Sequence, residues 1–335
     1  MPLGIERAAA YVPPTSVQGR RSAAADEDGF TMAATALERL GDSGPPLGSP
    51  HKLLVAGELP PSADADLPRF LGVPVTVERV GAGIESVRTA LSAVAVATDP
   101  PPAILFVAVD RGLGGPNDPD AAVALRCTAG GALAVDRVVA ELEGKGPRSA
   151  GPLLRFGAGR AATEPSKWVG DFAPGDGHPA APVPRETPLV PNAPVSQGAY
   201  VPRPRYLEGV GAHWRFEGER CDACGAVGFP PRGRCRSCGA TDRLRPIPLP
   251  RDGGVVIAST TIGPGGQPTE LDEQVERSGP YGVVLVDLVP GVRVTLSVAD
   301  GSASLAIGRR VATRLRRLYP MEGEWRYGRK AVPLE

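Results

Sequence analysis

This 335-residue chain is predicted to fold as two units of different kinds. One is an α/β layered domain in the first half, and the other is a small all-β assembly around a metal-thiolate site in the second. Three observations predict it. Strand-like and helix-like segments alternate over residues 4–143, two Cys-x-x-Cys pairs lie between 221 and 238, and five short strand-like segments separated by Gly, Pro and Asp follow those pairs.

The first observation divides into elements as follows. Residues 4–12 read as a strand, and 26–40 as a helix with Phe30, Ala33, Ala36, Leu37 and Leu40 near helical spacing. Then come a short strand at 51–55, a short helix at 66–71, a strand at 73–80 and a helix at 84–97. A buried strand at 103–109, another at 121–128 and a last at 132–138, after Ala129-Gly-Gly, complete the unit. Alternation of this kind argues for a largely parallel sheet covered by helices. From 144 to 194 the periodicity stops and Pro, Gly and Ala dominate, so this stretch reads as a linker with residues 168–172 as its apolar anchor. The boundaries expected are therefore 1–143, the linker 144–194, a short helix plus metal site over 195–245, and a barrel over 246–335. The helix is read at 206–215 and the barrel strands at 254–262, 282–288, 292–298, 304–307 and 310–318, with an OB-fold as the leading candidate.

The metal site is the most specific signal. Cys221-Asp-Ala-Cys224-Gly and Cys235-Arg-Ser-Cys238-Gly each form a knuckle that can aim two sulfurs at one ion, and the glycines that follow allow the tight turn this needs. Zinc is the expected metal. Four sulfurs fill a tetrahedron and leave no open position for water or substrate, so the role is structural. Four unrelated buried cysteines, or disulfides in a chain without signs of export, are the weaker readings. The fifth cysteine, Cys127, sits in an apolar run and reads as a small buried hydrophobe.

Composition narrows the partners. The formal net charge is zero, so there is no global electrostatic pull toward nucleic acid or anionic membrane. From residue 195 onward 20 Arg and Lys face 15 Asp and Glu, a surplus of +5 balanced by −5 before it. Aromatics are scarce for base stacking, at 5%, which weakens a nucleic-acid reading of the ribbon and barrel. A basic start followed by a long apolar run is missing, and no stretch approaches about 18 apolar residues. A cytoplasmic protein is expected.

Further residues carry a resemblance. Tyr206-Leu-Glu ahead of Trp214-Arg-Phe, the two knuckles joined by Phe229-Pro-Pro-Arg232-Gly-Arg, then Gly254-Val-Val-Ile-Ala-Ser-Thr260, Gly279-Pro-Tyr-Gly-Val-Val284 and Ile307-Gly-Arg-Arg-Val311 occur in that order. Over about 140 residues this resembles the zinc-ribbon plus OB-fold proteins associated with acyl-CoA enzymes, long catalogued as a domain of unknown function. The resemblance implies a rubredoxin-like ribbon. It also implies docking on thiolases, hydroxymethylglutaryl-CoA synthases or related aldolases, where such proteins help bind or pass on an acyl-CoA. The first half is similar to the N-terminal half of a thiolase-fold enzyme of the hydroxymethylglutaryl-CoA synthase branch, through Gly4-Ile-Glu-Arg-Ala-Ala-Ala-Tyr-Val-Pro13 and its element order; Trp168-Val-Gly-Asp-Phe172 is similar to a later segment of those enzymes.

One departure matters. Thiolase-fold enzymes place a nucleophilic cysteine at the start of the helix after the third strand, where the helix N-terminus stabilises a thiolate. Here that turn reads Val80-Gly-Ala-Gly-Ile84, with Gly83 or Ile84 in the position, and neither can attack a thioester. Of the three histidines, His51, His178 and His213, none has a catalytic setting, although Gly177-His178-Pro179 resembles a thiolase turn without the rest of its motif.

The expectation is thus a non-catalytic accessory subunit of a thiolase-type acyl-CoA complex, hetero-oligomeric with two copies of each chain. Its ligands would be structural zinc and, for the complex, a CoA thioester. Trp214, Phe229, Arg232, Arg310, Arg314 and Arg316 are candidate contacts to acyl-CoA or partner. A packed loop at 229–232 and a solvated face at Arg310, Arg314 and Arg316 are the plainer readings, since residues two apart on a strand share a face. The competing functions are a nucleic-acid-binding module and a self-sufficient acyltransferase.

Overall fold

The computed structural model describes residues 4–11, 13, 16–17, 20–21, 23–24, 26–42, 44, 46–57, 59–81, 89–90, 103–110, 120–128, 133–134, 168–169, 201–263, 265–300 and 304–334. The chain packs as two units, 1–180 and 181–335. In the first, β1 (Gly4–Tyr11) is followed by β2 (Ser16–Val17) and β3 (Arg20–Arg21), which pair with each other, then by α1 (Gly29–Asp42) and β4 (Lys52–Gly57). After these come α2 (Ala63–Leu71), β5 (Thr76–Arg79), β6 (Ile104–Asp110), β7 (Ala121–Thr128), β8 (Leu133–Ala134) and β9 (Trp168–Val169). Among the described residues the strands and helices follow the order read from the sequence, with the short β2–β3 pair added after β1.

The sheet runs β5-β4-β6-β7-β1-β8, and β9 pairs with β1. It is more mixed than the expected parallel sheet. β4 pairs in parallel with β5 and β6, whereas β7 is antiparallel to both its neighbours, β6 and β1. The reason is the link from Asp110 to Ala121, which is too short for the dozen or more residues of a parallel crossover. β6 is buried on both faces from Ile104 to Val109, as a central strand must be. α1 starts on a reciprocal cap: the Thr31 amide donates to Asp28 Oδ1 and the Asp28 amide to Thr31 Oγ1, both at 2.9 Å. Its Phe30, Met32, Ala33, Ala36, Leu37 and Leu40 are all buried, and small alanines let it lie close on β1, β6 and β7.

Of the helix expected at 84–97, residues 89 and 90 are described, and both are helical. The turn carrying Gly83 and Ile84, the segment 177–179 and most of the linker 144–194 lie outside the described residues. Trp168 and Val169, the described part of the expected apolar anchor, form β9, which runs parallel to β1 opposite Ala8 and Ala9. No helix among the described residues is long and apolar enough to cross a membrane.

In the second unit α3 (Arg203–Glu208) and α4 (Val210–His213) precede the strands β10 (Glu217–Cys221), β11 (Val227–Gly228) and β12 (Leu244–Pro248), which form an antiparallel ribbon in the order β11-β10-β12. β13 (Asp252–Ile262), α5 (Asp272–Ser278), β14 (Tyr281–Val289), β15 (Val292–Ser297), β16 (Arg310–Met321) and β17 (Glu324–Pro333) complete it. The five long strands run β15-β14-β13-β16-β17, and a parallel bridge from Val298 to Ala331 joins the two ends. The result is a nearly closed five-stranded barrel of OB-fold type. Its core is Val256, Val284, Val286, Val292, Val294, Leu296, Val298, Leu305, Val311 and Ala331.

Two barrel strands differ from the sequence expectation. Residues 304–307 form no strand. Leu305 plugs the core at 7% exposure, but the turn closed by the Arg309 amide on the Ala306 carbonyl swings Ile307 out to 70%, which a two-residue period could not do. The fifth strand is β17 instead, paired with β16 through a turn at Glu322 and Gly323, whose φ values of 54° and 76° suit a two-residue hairpin.

Candidate metal centre and its supporting barrel

The ribbon brings the four cysteines together from the end of β10 with the loop after it, and from the loop before β12. All four sulfurs lie within 4.8 Å of one another, with Cys221 Sγ 3.6 Å from Cys238 Sγ and Cys224 Sγ 3.6 Å from Cys235 Sγ. A tetrahedron of sulfurs each about 2.3 Å from zinc has edges of about 3.8 Å, so the set fits that ion. Such spacing is far too long for a disulfide. Each knuckle closes the same way. The Gly225 amide donates to the Cys221 carbonyl at 2.8 Å and the Gly239 amide to the Cys235 carbonyl at 3.0 Å, with φ of 76° and 78° at the two glycines. A side chain at either position would strain the turn.

The electrostatics favour a cation among the sulfurs. The amides of Cys238 and Ser237 aim at Cys235 and lower its pKa to about 6. At Cys238 the Ala240 amide acts in the same direction, but Cys224 and Cys221 outweigh it and push the thiol up to about 11. Four thiolates at these distances repel one another, and a divalent ion relieves that repulsion as the ligands lose their protons. The chemistry a bound zinc supplies here is structural, since all four positions of its tetrahedron are taken.

The other candidate contacts scatter. Phe229 is partly buried, its ring 5.2 Å edge-on from Phe216, and the Phe229–Pro230 peptide is cis. Phe216 itself is buried at φ 59° where the chain turns from α4 into the ribbon, and its carbonyl accepts from Leu249 at 3.0 Å. Arg232 is exposed, with its amide donating to Glu219 Oε1. Arg310 is exposed and Arg314 pairs with Asp252 at 2.6 Å, whereas Arg316 is 2% exposed. The shared face of these three arginines is therefore not uniformly solvated.

Trp214 belongs to a constellation that spacing along the chain does not reveal. The Tyr206 hydroxyl accepts from Trp214 Nε1 at 2.7 Å and from the Tyr327 amide at 2.6 Å, and donates to the Tyr327 carbonyl at 2.9 Å. One donor and two acceptors are all a hydroxyl has, so its capacity is filled. Arg326 lies 4.8 Å over the Tyr206 ring, Tyr327 packs edge-on to Trp214 at 6.0 Å, and Arg329 donates to the Trp214 carbonyl. Together these pin α3 and α4 to the edge of β17. Tyr206→Phe is expected to cost about 2–4 kcal/mol in urea unfolding, because it strands buried groups worth roughly 1–3 kcal/mol apiece.

A groove of about 810 Å³ runs beside this pin, lined by Tyr206, His213, Pro230, Pro231, Tyr319 and Tyr327 among others. Its charged walls are internally paired: Arg205 with Glu208 at 2.6 Å, Arg215 with Glu217 at 2.7 Å, and Arg245 with Asp222 at 2.8 Å. His213 lies against Tyr206, and burial lowers its pKa.

Cys127 lies on β7 opposite Ile5 and Ile104, and burial pushes its pKa up to about 12. The thiol form is therefore favoured, whereas the thiolate is the nucleophile. Iodoacetamide should leave Cys127 unmodified in the native protein and label it after denaturation, as read by mass spectrometry.

A four-thiolate ribbon joined to a five-stranded barrel defines the class: a zinc-ribbon protein with an OB-fold. The ribbon matches the family model of the ChsH2 rubredoxin-like zinc ribbon domain over residues 211–243. A DUF35 domain-containing scaffold protein of Methanocaldococcus jannaschii is 30% identical over 122 residues, which are 35% of this chain and 81% of that protein. The chain belongs to the family of DUF35 domain-containing proteins. Among solved structures, an Ltp2-ChsH2(DUF35) aldolase aligns at 22% identity and a TM-score of 0.30, covering 40% of this chain and 98% of that one. PksG, an HMG-CoA synthase from Bacillus subtilis, aligns at 16% identity and a TM-score of 0.33, covering 39% and 42%.

Proposed function

We propose that this chain is a non-catalytic accessory subunit of a thiolase-type acyl-CoA complex. The partner carries the Claisen or retro-Claisen step, and this chain helps bind or channel the CoA thioester. The observation that carries the reading is the relationship to a scaffold protein across four-fifths of that protein's length. Two features of the chain agree with it. The zinc site is coordinatively closed, so it scaffolds and does not activate a substrate. Cys127 is too deeply buried, and its thiol too weakly acidic, to serve as a nucleophile. Within the reading, Trp214 acts indirectly by holding α3 and α4 on the barrel, while exposed Arg232 and Arg310 remain available to a phosphate or a partner.

Affinity purification of the tagged chain from its native cell tests this. Recovery of a thiolase-fold subunit with its own active-site cysteine, in fixed ratio with this chain, is the expected result. Recovery without any thiolase-fold protein at physiological salt would overturn the proposal. Equilibrium dialysis of the recovered complex against acetyl-CoA, with and without this chain, then tests whether it contributes to thioester binding.

A further inference from the structure

β13 has an open edge. The hydrogen bonds from the β16 side stop at Val256, whose amide donates to the Arg309 carbonyl at 3.0 Å and whose carbonyl accepts from Gly308 at 2.8 Å. Beyond it, among the described residues, β14 is the strand that pairs with β13, opposite Ala258 through Ile262. Ala258, Ser259, Thr260 and Thr261 are all exposed. Proteins protect such edges with Lys, Pro, bulges or cover, because unpaired amides and carbonyls recruit another strand. The six residues Ile257-Ala-Ser-Thr-Thr-Ile262 carry no charge and no proline, and four of them are β-branched. The large hydrophobics exposed among the described residues, Val255 at 37% and Ile307 at 70%, sit where β16 leaves the strand.

The charges around the edge select the occupant. Exposed Arg309 stands where the ladder from β16 ends, whereas Arg310 leans back along β13 toward Gly253; the connection that follows the far end of β13 carries exposed Asp272 and Glu276. A second copy placed antiparallel across a two-fold axis between Ser259 and Thr260 sets Arg309 of each copy toward the acidic connection of the other. Nothing charged meets at the axis. An interface of this kind is self-complementary, with each residue i opposite a j that returns the contact. We propose that two copies of this chain associate through the β13 edge, joining their barrel sheets antiparallel, with Ile307 and Val255 as apolar anchors and Arg309 facing Asp272 and Glu276 of the second copy.

Sedimentation equilibrium on the purified full chain, loaded with zinc, reads the outcome without any partner protein and so stands apart from the proposal above. The wild type should show a dimer mass that weakens with salt. Thr260→Lys puts two cations beside the axis and should raise the dimer dissociation constant at least tenfold. Arg309→Glu alters a side chain only, leaving the Arg309 carbonyl to accept from Val256, and should weaken the dimer by a smaller factor that Glu276→Arg restores. Zinc content together with β-sheet circular dichroism confirms that each variant is folded, and Arg309→Glu keeps the test decisive if Thr260→Lys is not. A wild type that is monomeric up to about 100 µM, with the edge then left for an extended segment of a different protein, would overturn the proposal. So would a dimer indifferent to both single substitutions.

Discussion

Cys221→Ser and Cys235→Ser are each expected to empty the metal site and unfold the ribbon, with zinc falling from one ion per chain to none by elemental analysis. The two cysteines are the buried pair of the four, at 1% and 7% exposure, and each holds the knuckle carbonyl that Gly225 or Gly239 caps. In zinc-finger peptides metal binding supplies roughly 10–16 kcal/mol of apparent folding free energy, comparable to the whole stability of an ordinary domain at about 5–15 kcal/mol. Nothing in a ribbon of five-, two- and five-residue strands can replace that. The barrel should survive in weakened form. Phe216 and Leu249 belong to its core, and Val227, Phe229 and Ile247 pack against it, so the collapse of the ribbon exposes one end of that core. Retained β-sheet circular dichroism with zinc lost and a lower unfolding midpoint is the expected signature. Full metal content in either variant would show that the four sulfurs do not hold the ion.

What could be read from the sequence followed from how local each determinant is. The knuckles are local: four cysteines and two glycines within 19 residues specify ligands, turn geometry and metal together. Helix α1 and strands β6 and β7 were legible because their buried faces are apolar. β17 was missed for the opposite reason. It buries Arg326 at 2%, Arg329 at 7% and Lys330 at 0%, so a rule that equates burial with hydrophobicity finds no strand there. The stems of these side chains fill apolar space, and their heads reach Glu322 and Tyr206, the Trp214 carbonyl, and Asp300. The Tyr206 hydroxyl was equally hidden. Its partners are 8 and 121 residues away, and no pattern within a window links them. The antiparallel turn of β7 depended on loop length, a signal present in the sequence between 110 and 121 but outweighed there by the strand and helix alternation.

Lys330→Met is expected to destabilise the second unit by about 3–5 kcal/mol, the range for a buried ion pair that loses one member. Lys330 Nζ lies 3.2 Å from Asp300 Oδ1, with side-chain exposures of 1% and 5%. The same carboxylate accepts from Gln274 Nε2 and from Ser278 Oγ, each at 3.1 Å, so it ties β17 to α5. Without the ammonium a buried negative charge would lean more heavily on the neutral donors Gln274 and Ser278, and its desolvation would be less well offset. Adding Asp300→Asn removes that charge while leaving a side chain that can still bond Gln274 and Ser278. The double variant should therefore be more stable than Lys330→Met alone, which is the reverse of additivity and the mark of a coupled pair. Urea unfolding of the zinc-loaded protein measures it. If the double variant were less stable than the single by a full independent increment, the pair would not be coupled, and the anchoring of α5 would have to come from Gln274 and Ser278 alone. The arrangement accounts for a fully buried lysine on β17: its charge holds Asp300, and through it α5, against the barrel.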